Sequence, residues 1–382
     1  MRRRHPRPRL RCAAATLAIL AAAGLAGAGQ ATATPFLPDD SGLLGHADGW
    51  RHEQWNFDGR YGVDAPRAWA NLIAADRPGG EGVTVAVVDS GVAYSDQPPF
   101  RGSPDLAGTQ FVPGYDFVDD DPYPLDHNGH GTHVASTIAE RTDNGVGLTG
   151  LAYGVRIMPV RVLNDQLQGD ADVIARGVRF AAEHGAKIIN LSLSFDTGVG
   201  PKQVPQLQRA IDDAYARGSL VVASAGNQAE EVLAYPARAD HALAVGATTE
   251  HGCLASYSDT GPGLDLVAPG GGDDRAVPGD PTCQVGRAGP AIDQVTLTGT
   301  TPDRFGIVGY MGTSMAAPHV SAAAALVVAS GLIGTDPPPA AIADRLEHTA
   351  RDLGSPGYDP SYGWGLVDAA AATTPSAGQG GP

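Results

Sequence analysis

Short apolar runs alternate with amphipathic stretches along most of the chain. The apolar runs are rich in Val, Ile, Leu and Ala, which is typical of strands buried on both faces. They cover Val83–Val88, Arg156–Leu163, Lys187–Leu193, Leu220–Ala225, Ala242–Ala247 and Leu264–Val267. Helical stretches lie between them at His130–Glu140, Asp170–His184 and Val204–Arg217. This alternation predicts an α/β fold with a parallel sheet and crossover helices.

The same pattern predicts how the chain is divided. Ser314–Ala329 is apolar on all sides, so we expect a helix that crosses the core. Residues 34–82 are polar and aromatic and too few for a separate core, which predicts an N-terminal arm on a domain over 83–372. Gly271–Gly306 has little periodicity and predicts an inserted loop. Residues 373–382 are small and polar, which predicts a flexible tail.

Residues 1–33 have the pattern of a secretory signal peptide. Six arginines precede an apolar run from Ala13 to Ala28, and Ala31-Thr32-Ala33 matches a cleavage pattern. A membrane anchor is the alternative interpretation, but the run is short for a span and rich in alanine and glycine. We therefore expect a secreted, extracellular protein with no stable membrane anchor.

The charge of the chain limits the classes of partner that it can bind. Its formal net charge is −16, and loss of the six arginines of the signal peptide would bring it to −22. A strongly negative surface repels a phosphate backbone, so we expect no nucleic-acid partner. The same charge favours solubility and the binding of cations, and we expect a monomer.

Two cysteines remain once Cys12 leaves with the signal peptide. Cys253 and Cys283 form an even pair in an oxidising compartment, which predicts a disulfide that tethers the inserted loop. Two buried free thiols are the alternative, because spacing along a sequence does not define the distance between two Cα atoms.

Three segments carry an aspartate, a histidine and a serine in a chain order that serine hydrolases use. The segments are 85–91 (VAVVDSG), 128–135 (NGHGTHVA) and 312–320 (GTSMAAPHV). A serine hydroxyl becomes a good nucleophile only when an imidazole accepts its proton, and the imidazole needs a carboxylate to fix its tautomer. Asp89, His130 and Ser314 are therefore the candidate triad. Ser314 also begins the apolar helix, where free N–H groups favour an oxyanion.

Each of these residues also has a simpler interpretation. Asp89 could be a turn or helix-cap residue, and Ser314 an ordinary helix cap. His130 could bind a metal together with His133, although the glutamate of a zincin helix is missing. None of these alternatives explains the three segments together.

Together with 221–227 (VVASAGN), these segments resemble the subtilases, and the similarity runs from about Tyr61 to Ala372. The resemblance implies a three-layer α/β/α fold with a mostly parallel twisted sheet. It also implies a serine endopeptidase that cleaves proteins or peptides through an acyl-enzyme on Ser314, with His130 as base and then acid. Asp89 would orient His130, and Asn227 would donate to the oxyanion. A turn asparagine is the alternative for Asn227.

The segment 189–194 (INLSLS) resembles the family strand that lines the substrate cleft. The resemblance implies that an extended substrate contacts the following residues: Ser192, Leu193, Ser194 and Gly226. Ser194 and Phe195 stand where the family usually has glycines, so the pocket should differ in shape. A buried central strand without ligand contacts is the alternative.

Two segments resemble subtilase calcium loops. Asp116, Asp119 and Asp121 match a thermitase-type loop, and Asp105 with Asn144 matches a second site. Calcium accepts six to eight oxygen ligands in flexible geometry, so both sets suit structural calcium. A solvated acidic turn is the alternative for each.

The N-terminal region departs from many subtilases, which carry a folded inhibitory prodomain. Only about fifty residues separate Ala33 from Val83, so we expect none here; Gln54–Pro66 instead resembles the arm of mature subtilases. Two other functions compete with a broad secreted protease. One is a processing protease of a secretion pathway, similar to mycosins, which usually carry a C-terminal membrane helix. The other is an inactive pseudoprotease that serves as a binding module, against which the intact triad argues.

Overall fold

A parallel sheet of eight strands is the central layer of the part of the chain that the structure describes. The structure is a computed structural model, and it describes residues 34–276, 282–299 and 301–375. The strands of the sheet are β1 (Thr84–Asp89), β2 (Gln110–Phe111), β3 (Tyr115–Asp116), β4 (Arg156–Arg161), β5 (Ile188–Leu191), β6 (Leu220–Ser224), β7 (Ala242–Thr248) and β8 (Leu266–Pro269). Two further strands, β9 (Ile292–Leu297) and β10 (Phe305–Tyr310), pair only with each other. The sheet order is β2-β4-β1-β5-β6-β7-β8, and β3 also pairs with β4.

Helices cover both faces of this sheet. They are α1 (Trp50–Glu53), α2 (Trp55–Asp58), α3 (Ala65–Ala74), α4 (His130–Ala139), α5 (Ala171–Glu183), α6 (Pro205–Ala216), α7 (Thr313–Ser330), α8 (Pro339–Thr349) and α9 (Ala369–Thr373). Side chains of β1 alternate between two core clusters: Val85 and Val87 pack with α4 and α7, whereas Ala86 and Val88 pack with α5 and α6. This arrangement confirms the predicted three-layer α/β/α fold.

Helix α7 passes through the core, as its composition predicts. Residues from Thr313 to Val327 are buried with the exception of Ser314, which is partly exposed. Within the described ranges it is the one helix long and apolar enough to cross a membrane, and 78% of it is buried inside the protein. Packing against the sheet therefore explains an apolar surface on all sides.

The prediction of an inserted loop over Gly271–Gly306 is wrong for the second half of that segment. Strands β9 and β10 form an antiparallel hairpin there, with Ile292 opposite Tyr310 and Leu297 opposite Phe305. The hairpin packs on α4, where Ser136 Oγ donates to the Val295 carbonyl over 3.1 Å. A two-stranded hairpin is only marginally stable by itself, so this pair depends on α4, which lies far away in the sequence.

The predicted disulfide is present. Cys253 and Cys283 are joined with an S–S distance of 2.07 Å across 30 residues of sequence. Closing a loop of that length stabilises the fold by about 3.6 kcal/mol in the chain-entropy account. The bond ties the start of the segment 282–299 to the turn that follows β7.

The N-terminal arm is helical and joins the main core. Trp50, Phe57 and Trp69 are fully buried, and the rings of Trp50 and Phe57 meet Trp69 edge-on at 5.6 and 6.2 Å. The predicted signal peptide, residues 1–33, lies outside the described residues, as do 376–382 of the predicted tail.

Candidate active site

The end of β1 and the start of α4 bring Asp89 and His130 together. His130 Nδ1 lies 2.8 Å from Asp89 Oδ1, and the Asp89 side chain is fully buried. A carboxylate can only accept, so Nδ1 carries the proton and donates it. Nε2 is then left with a free lone pair, which is the state that a general base requires.

Two opposing effects act on the charge of His130. Burial lowers the pKa of its imidazole, while the charge of Asp89 and the hydrogen bond to it raise the pKa. The net result is a pKa above the usual value for histidine. Asp89 therefore stabilises the imidazolium that forms when His130 accepts a proton.

Ser314 lies in the first turn of α7, at the carboxyl edge of the sheet. Two bonds link it with Ser192, just beyond β5: Ser314 Oγ donates to the Ser192 carbonyl over 3.1 Å, and Ser192 Oγ donates to the Ser314 carbonyl over 2.7 Å. In this conformation the Ser314 hydroxyl proton points at Ser192. Hydrogen bonds between catalytic groups are often absent until substrate binds.

Asn227 lies beside the start of the same helix. Its Oδ1 accepts hydrogen bonds from the Thr313 backbone N–H at 2.9 Å and from Thr313 Oγ1 at 3.0 Å. Because Oδ1 is used in this way, the Nδ2 group is the free donor of the amide. Gly226 has φ +115, and a Cβ there would lie 2.0 Å from Asp259 Oδ2, so only glycine fits at that position.

His133 occupies a different environment from His130. It is fully buried, and its Nε2 lies 2.9 Å from the Ile292 carbonyl and 3.2 Å from the Val308 carbonyl. Burial lowers the pKa of His133 to about 3, so the ring is neutral. Its ring also stacks on Tyr310 with centroids 4.6 Å apart. His133 thus holds the β9–β10 hairpin and does not pair with a carboxylate.

The candidate substrate strand continues from β5 toward Ser314. Ser192 and Leu193 are buried, and Ser194 is exposed. Ser224 Oγ donates to the Leu193 carbonyl over 3.3 Å, which keeps this strand beside the segment that leads to Gly226 and Asn227. All predicted substrate residues therefore lie at the same edge of the sheet as Ser314.

Comparison with known proteins decides the family. Residues 80–365, about three quarters of the chain, match the sequence profile of the subtilase family. The chain belongs to the subtilase family. Its recognition from the sequence is confirmed, and this subtilase is a serine endopeptidase by membership.

Individual relatives agree with that assignment. This subtilase is 38% identical to subtilisin BL of Lederbergia lenta over 294 residues, which are 77% of this chain and 91% of that protein. It is 37% identical to the thermophilic serine proteinase of Bacillus sp. (strain AK1) over 75% of this chain and 60% of that protein. A solved protease from Pseudoalteromonas arctica PAMC 21717 matches with a TM-score of 0.70 and 29% identity, covering 89% of this chain and 98% of that one.

The acidic loop after β3 has a cationic partner within this subtilase. Arg161, only 2% exposed, donates to Asp116 Oδ2 at 2.8 Å and to Asp119 Oδ2 at 2.5 Å. Asp121 Oδ1 accepts the Tyr123 backbone N–H at 2.7 Å. A cavity of about 260 Å³ beside the loop is lined by the three aspartates and by Gln97, Pro98, Phe100, Tyr123, Leu125 and His127. The guanidinium thus bridges Asp116 and Asp119, two of the three residues that we predicted as calcium ligands.

The second predicted calcium set has no such cation. Asp105 Oδ1 accepts from Asn144 Nδ2 at 3.0 Å, and Asp105 Oδ2 accepts the Leu148 N–H at 2.8 Å. Asp40, which sequence reasoning missed, accepts the Asn144 and Asp143 N–H groups and is fully buried. Burial raises the pKa of Asp40 to about 6 and that of Asp105 to about 6.

A third carboxyl group, that of Glu140, is buried next to Asp105. Burial and the charge of neighbouring Asp105 raise the pKa of Glu140 well above the usual value. Across the described residues, no group of three or more His, Cys, Asp or Glu side chains is already arranged as a metal site. The ion pairs of the described residues also include no Lys or Arg partner for Asp40, Asp105 or Glu140. The second set therefore brings three buried carboxyl groups together without a Lys or Arg partner among the described residues, and burial raises the pKa of each.

Proposed function

We propose that this subtilase is a secreted endopeptidase that hydrolyses peptide bonds of proteins through an acyl-enzyme on Ser314. The observation that carries the proposal is the 2.8 Å contact between a buried Asp89 and His130 Nδ1. That contact leaves His130 Nε2 unprotonated at the edge of the sheet where Ser314 lies. The resemblance of the N-terminal 33 residues to a signal peptide supports secretion.

The reaction begins with His130. Its Nε2 accepts the proton of Ser314 Oγ, and the oxygen attacks the carbonyl carbon of the scissile peptide bond. Because the hydroxyl donates to the Ser192 carbonyl in this conformation, a rotation about the Ser314 Cα–Cβ bond precedes the transfer. The negative charge of the former carbonyl oxygen is then stabilised by Asn227 Nδ2 and by N–H groups at the start of α7.

His130 next acts as an acid. It returns the proton to the leaving amine as the C–N bond breaks, which leaves an ester between Ser314 Oγ and the acyl part of the substrate. A water molecule then repeats the sequence, with His130 taking its proton and Ser314 leaving. An extended substrate can align along Ser192–Ser194 as an added strand, because backbone groups beyond β5 lie beside the attacking oxygen.

Reaction with a fluorophosphonate tests this function directly. The reagent forms a bond quickly only with an activated serine. We expect the secreted protein to be labelled at one residue, Ser314, and the position is read by peptide mass spectrometry. A protein that stays unlabelled while folded would instead support the inactive binding module.

For calcium, we propose the site around Asp40, Asp105 and Asn144. The donors there are oxygens, which suit calcium, and neither Asp40 nor Asp105 has a Lys or Arg partner among the ion pairs of the described residues. Calcium would supply structural cross-linking between the N-terminal arm and the loop after α4. We assign no metal to Asp116, Asp119 and Asp121, because Arg161 already bridges the first two.

Calcium should raise the midpoint of thermal unfolding. A ligand that binds only the native state stabilises it by about 2.7 kcal/mol at a concentration one hundred times its Kd. We expect chelator to remove this gain, Asp105→Asn to reduce the calcium response, and the matched control Asp119→Asn to keep it. A response lost in Asp119→Asn and kept in Asp105→Asn would assign the metal to the acidic loop after β3.

A further inference from the structure

A second buried carboxylate connects the two segments that carry Asp89 and His130. Asp126 is almost fully buried and lies in the loop before α4. Its Oδ1 accepts from Ser90 Oγ at 3.0 Å and from the N–H groups of Asn128 and Gly129, each at 2.9 Å. Its Oδ2 accepts from the Thr132 N–H at 2.8 Å and from Thr132 Oγ1 at 2.6 Å. One side chain thus binds the residue after Asp89 and the residues on both sides of His130.

These five donors suit the ionised form of Asp126. An ionised carboxylate only accepts hydrogen bonds. A protonated carboxyl group would place its own O–H hydrogen next to the hydrogen of a donor, and one of the five bonds would be lost. Burial raises the pKa of Asp126, and the hydrogen bonds from Gly129, Thr132 and Asn128 oppose that rise. Without such donors, burial destabilises the ionised form of a carboxyl group by the full free energy of desolvation.

The connection continues through Ser90. Its Oγ donates to Asp126 and accepts the Gly131 N–H at 2.9 Å, so a chain of bonds runs from the residue after Asp89 to the residue after His130. The backbones also touch, since a Cβ on Gly131 would lie 2.1 Å from the Gly91 carbonyl oxygen. The relative position of Asp89 and His130 therefore depends on this contact.

Asp126 also acts on His130 through its charge. After the larger effects of burial and Asp89, the negative charge of Asp126 contributes to the raised pKa of His130. Two aromatic neighbours of the imidazole add no opposing charge: His133 is neutral, and the Tyr310 ring stacks at 6.5 Å with a pKa raised by burial. Asp89 and Asp126 are thus two anions that raise the pKa of His130.

We propose that Asp126 is a positioning residue of this subtilase, which sets the distance between Asp89 and His130 and adds a second negative charge behind the imidazole. The inference rests on the proposed roles of Asp89 and His130. It goes beyond them because Asp126 touches neither the substrate nor the reacting atoms and acts only through its neighbours.

Asp126→Asn tests both parts of the proposal. The amide keeps one acceptor and places an NH₂ against donors, so the loop should shift. A displacement of about 1 Å can cost about 10²-fold in rate, and we expect kcat to fall to that extent with little change in KM. Loss of the charge should lower the pKa of His130, so the acidic limb of the kcat/KM profile should move to lower pH.

Ser90→Ala separates position from charge. It removes the bond to Asp126 and the acceptor for Gly131 but leaves the carboxylate in place. We expect the loss of these two hydrogen bonds to lower kcat by about tenfold, with the acidic limb unmoved. The control is Asp359→Asn, because Asp359 accepts three backbone N–H groups within its own loop, from Ser355, Ser361 and Tyr362.

The outcomes distinguish this proposal from the proposed function. Failure of the unaltered protein to react with fluorophosphonate would remove the function itself. If that protein reacts but Asp126→Asn matches Asp359→Asn in kcat and pH profile, only the positioning role is overturned. Should Asp126→Asn fail to fold by circular dichroism, Ser90→Ala decides alone, and an unchanged kcat overturns the proposal.

Discussion

Ser314→Ala is expected to abolish peptide-bond hydrolysis and leave the fold intact. The change removes one oxygen, which donates to the Ser192 carbonyl, while Ser192 Oγ keeps its bond to the backbone of residue 314. Alanine is also a good helix former. Without the nucleophile no acyl-enzyme forms, so we expect less than about one part in 10³ of the original kcat/KM on a peptide substrate.

The measurement needs a control from the same helix. Ser330→Ala removes a hydroxyl at the far end of α7, where Ser330 Oγ donates to the Val327 carbonyl. Both variants should keep the circular dichroism spectrum of the unaltered protein, but only Ser314→Ala should lose activity and fluorophosphonate labelling. Residual turnover well above one part in 10³ by folded Ser314→Ala would rule out the nucleophile that we assign.

The comparison of His130→Ala with His133→Ala should give the second large effect. His130 is the histidine paired with Asp89, so its loss should reduce kcat by more than about 10³-fold. His133 instead fills a buried position between α4 and the hairpin. Its replacement leaves a cavity and an unpaired carbonyl, which should lower the midpoint of thermal unfolding.

The two variants are therefore expected to fail in different ways. His130→Ala should unfold near the temperature of the unaltered protein and be inactive when folded. His133→Ala should unfold earlier, with a smaller loss of kcat per folded molecule. If His133→Ala proves more damaging to kcat while its thermal midpoint is unchanged, the assignment of the base is wrong.

Local patterns were sufficient for much of the fold. The run Val83–Val88 anticipated β1 at Thr84–Asp89, and Asp170–His184 anticipated α5 at Ala171–Glu183. Such runs are informative because the buried positions of a strand or a helix recur at a fixed spacing along the sequence. The hairpin of β9 and β10 was missed because its stability comes from α4.

The residues of the candidate site fall into the same two groups, those that the sequence indicated and those that only the fold revealed. Asp89, His130 and Ser314 stand in short segments whose residue types already indicate nucleophilic catalysis, so the sequence by itself determined the family and the candidate triad. Only the tertiary structure decided that Arg161 pairs with Asp116 and Asp119, and that Asp126 links the two loops. Such contacts join residues that are tens of positions apart, and a pattern along the chain carries no information on which distant charges the fold brings within hydrogen-bond distance.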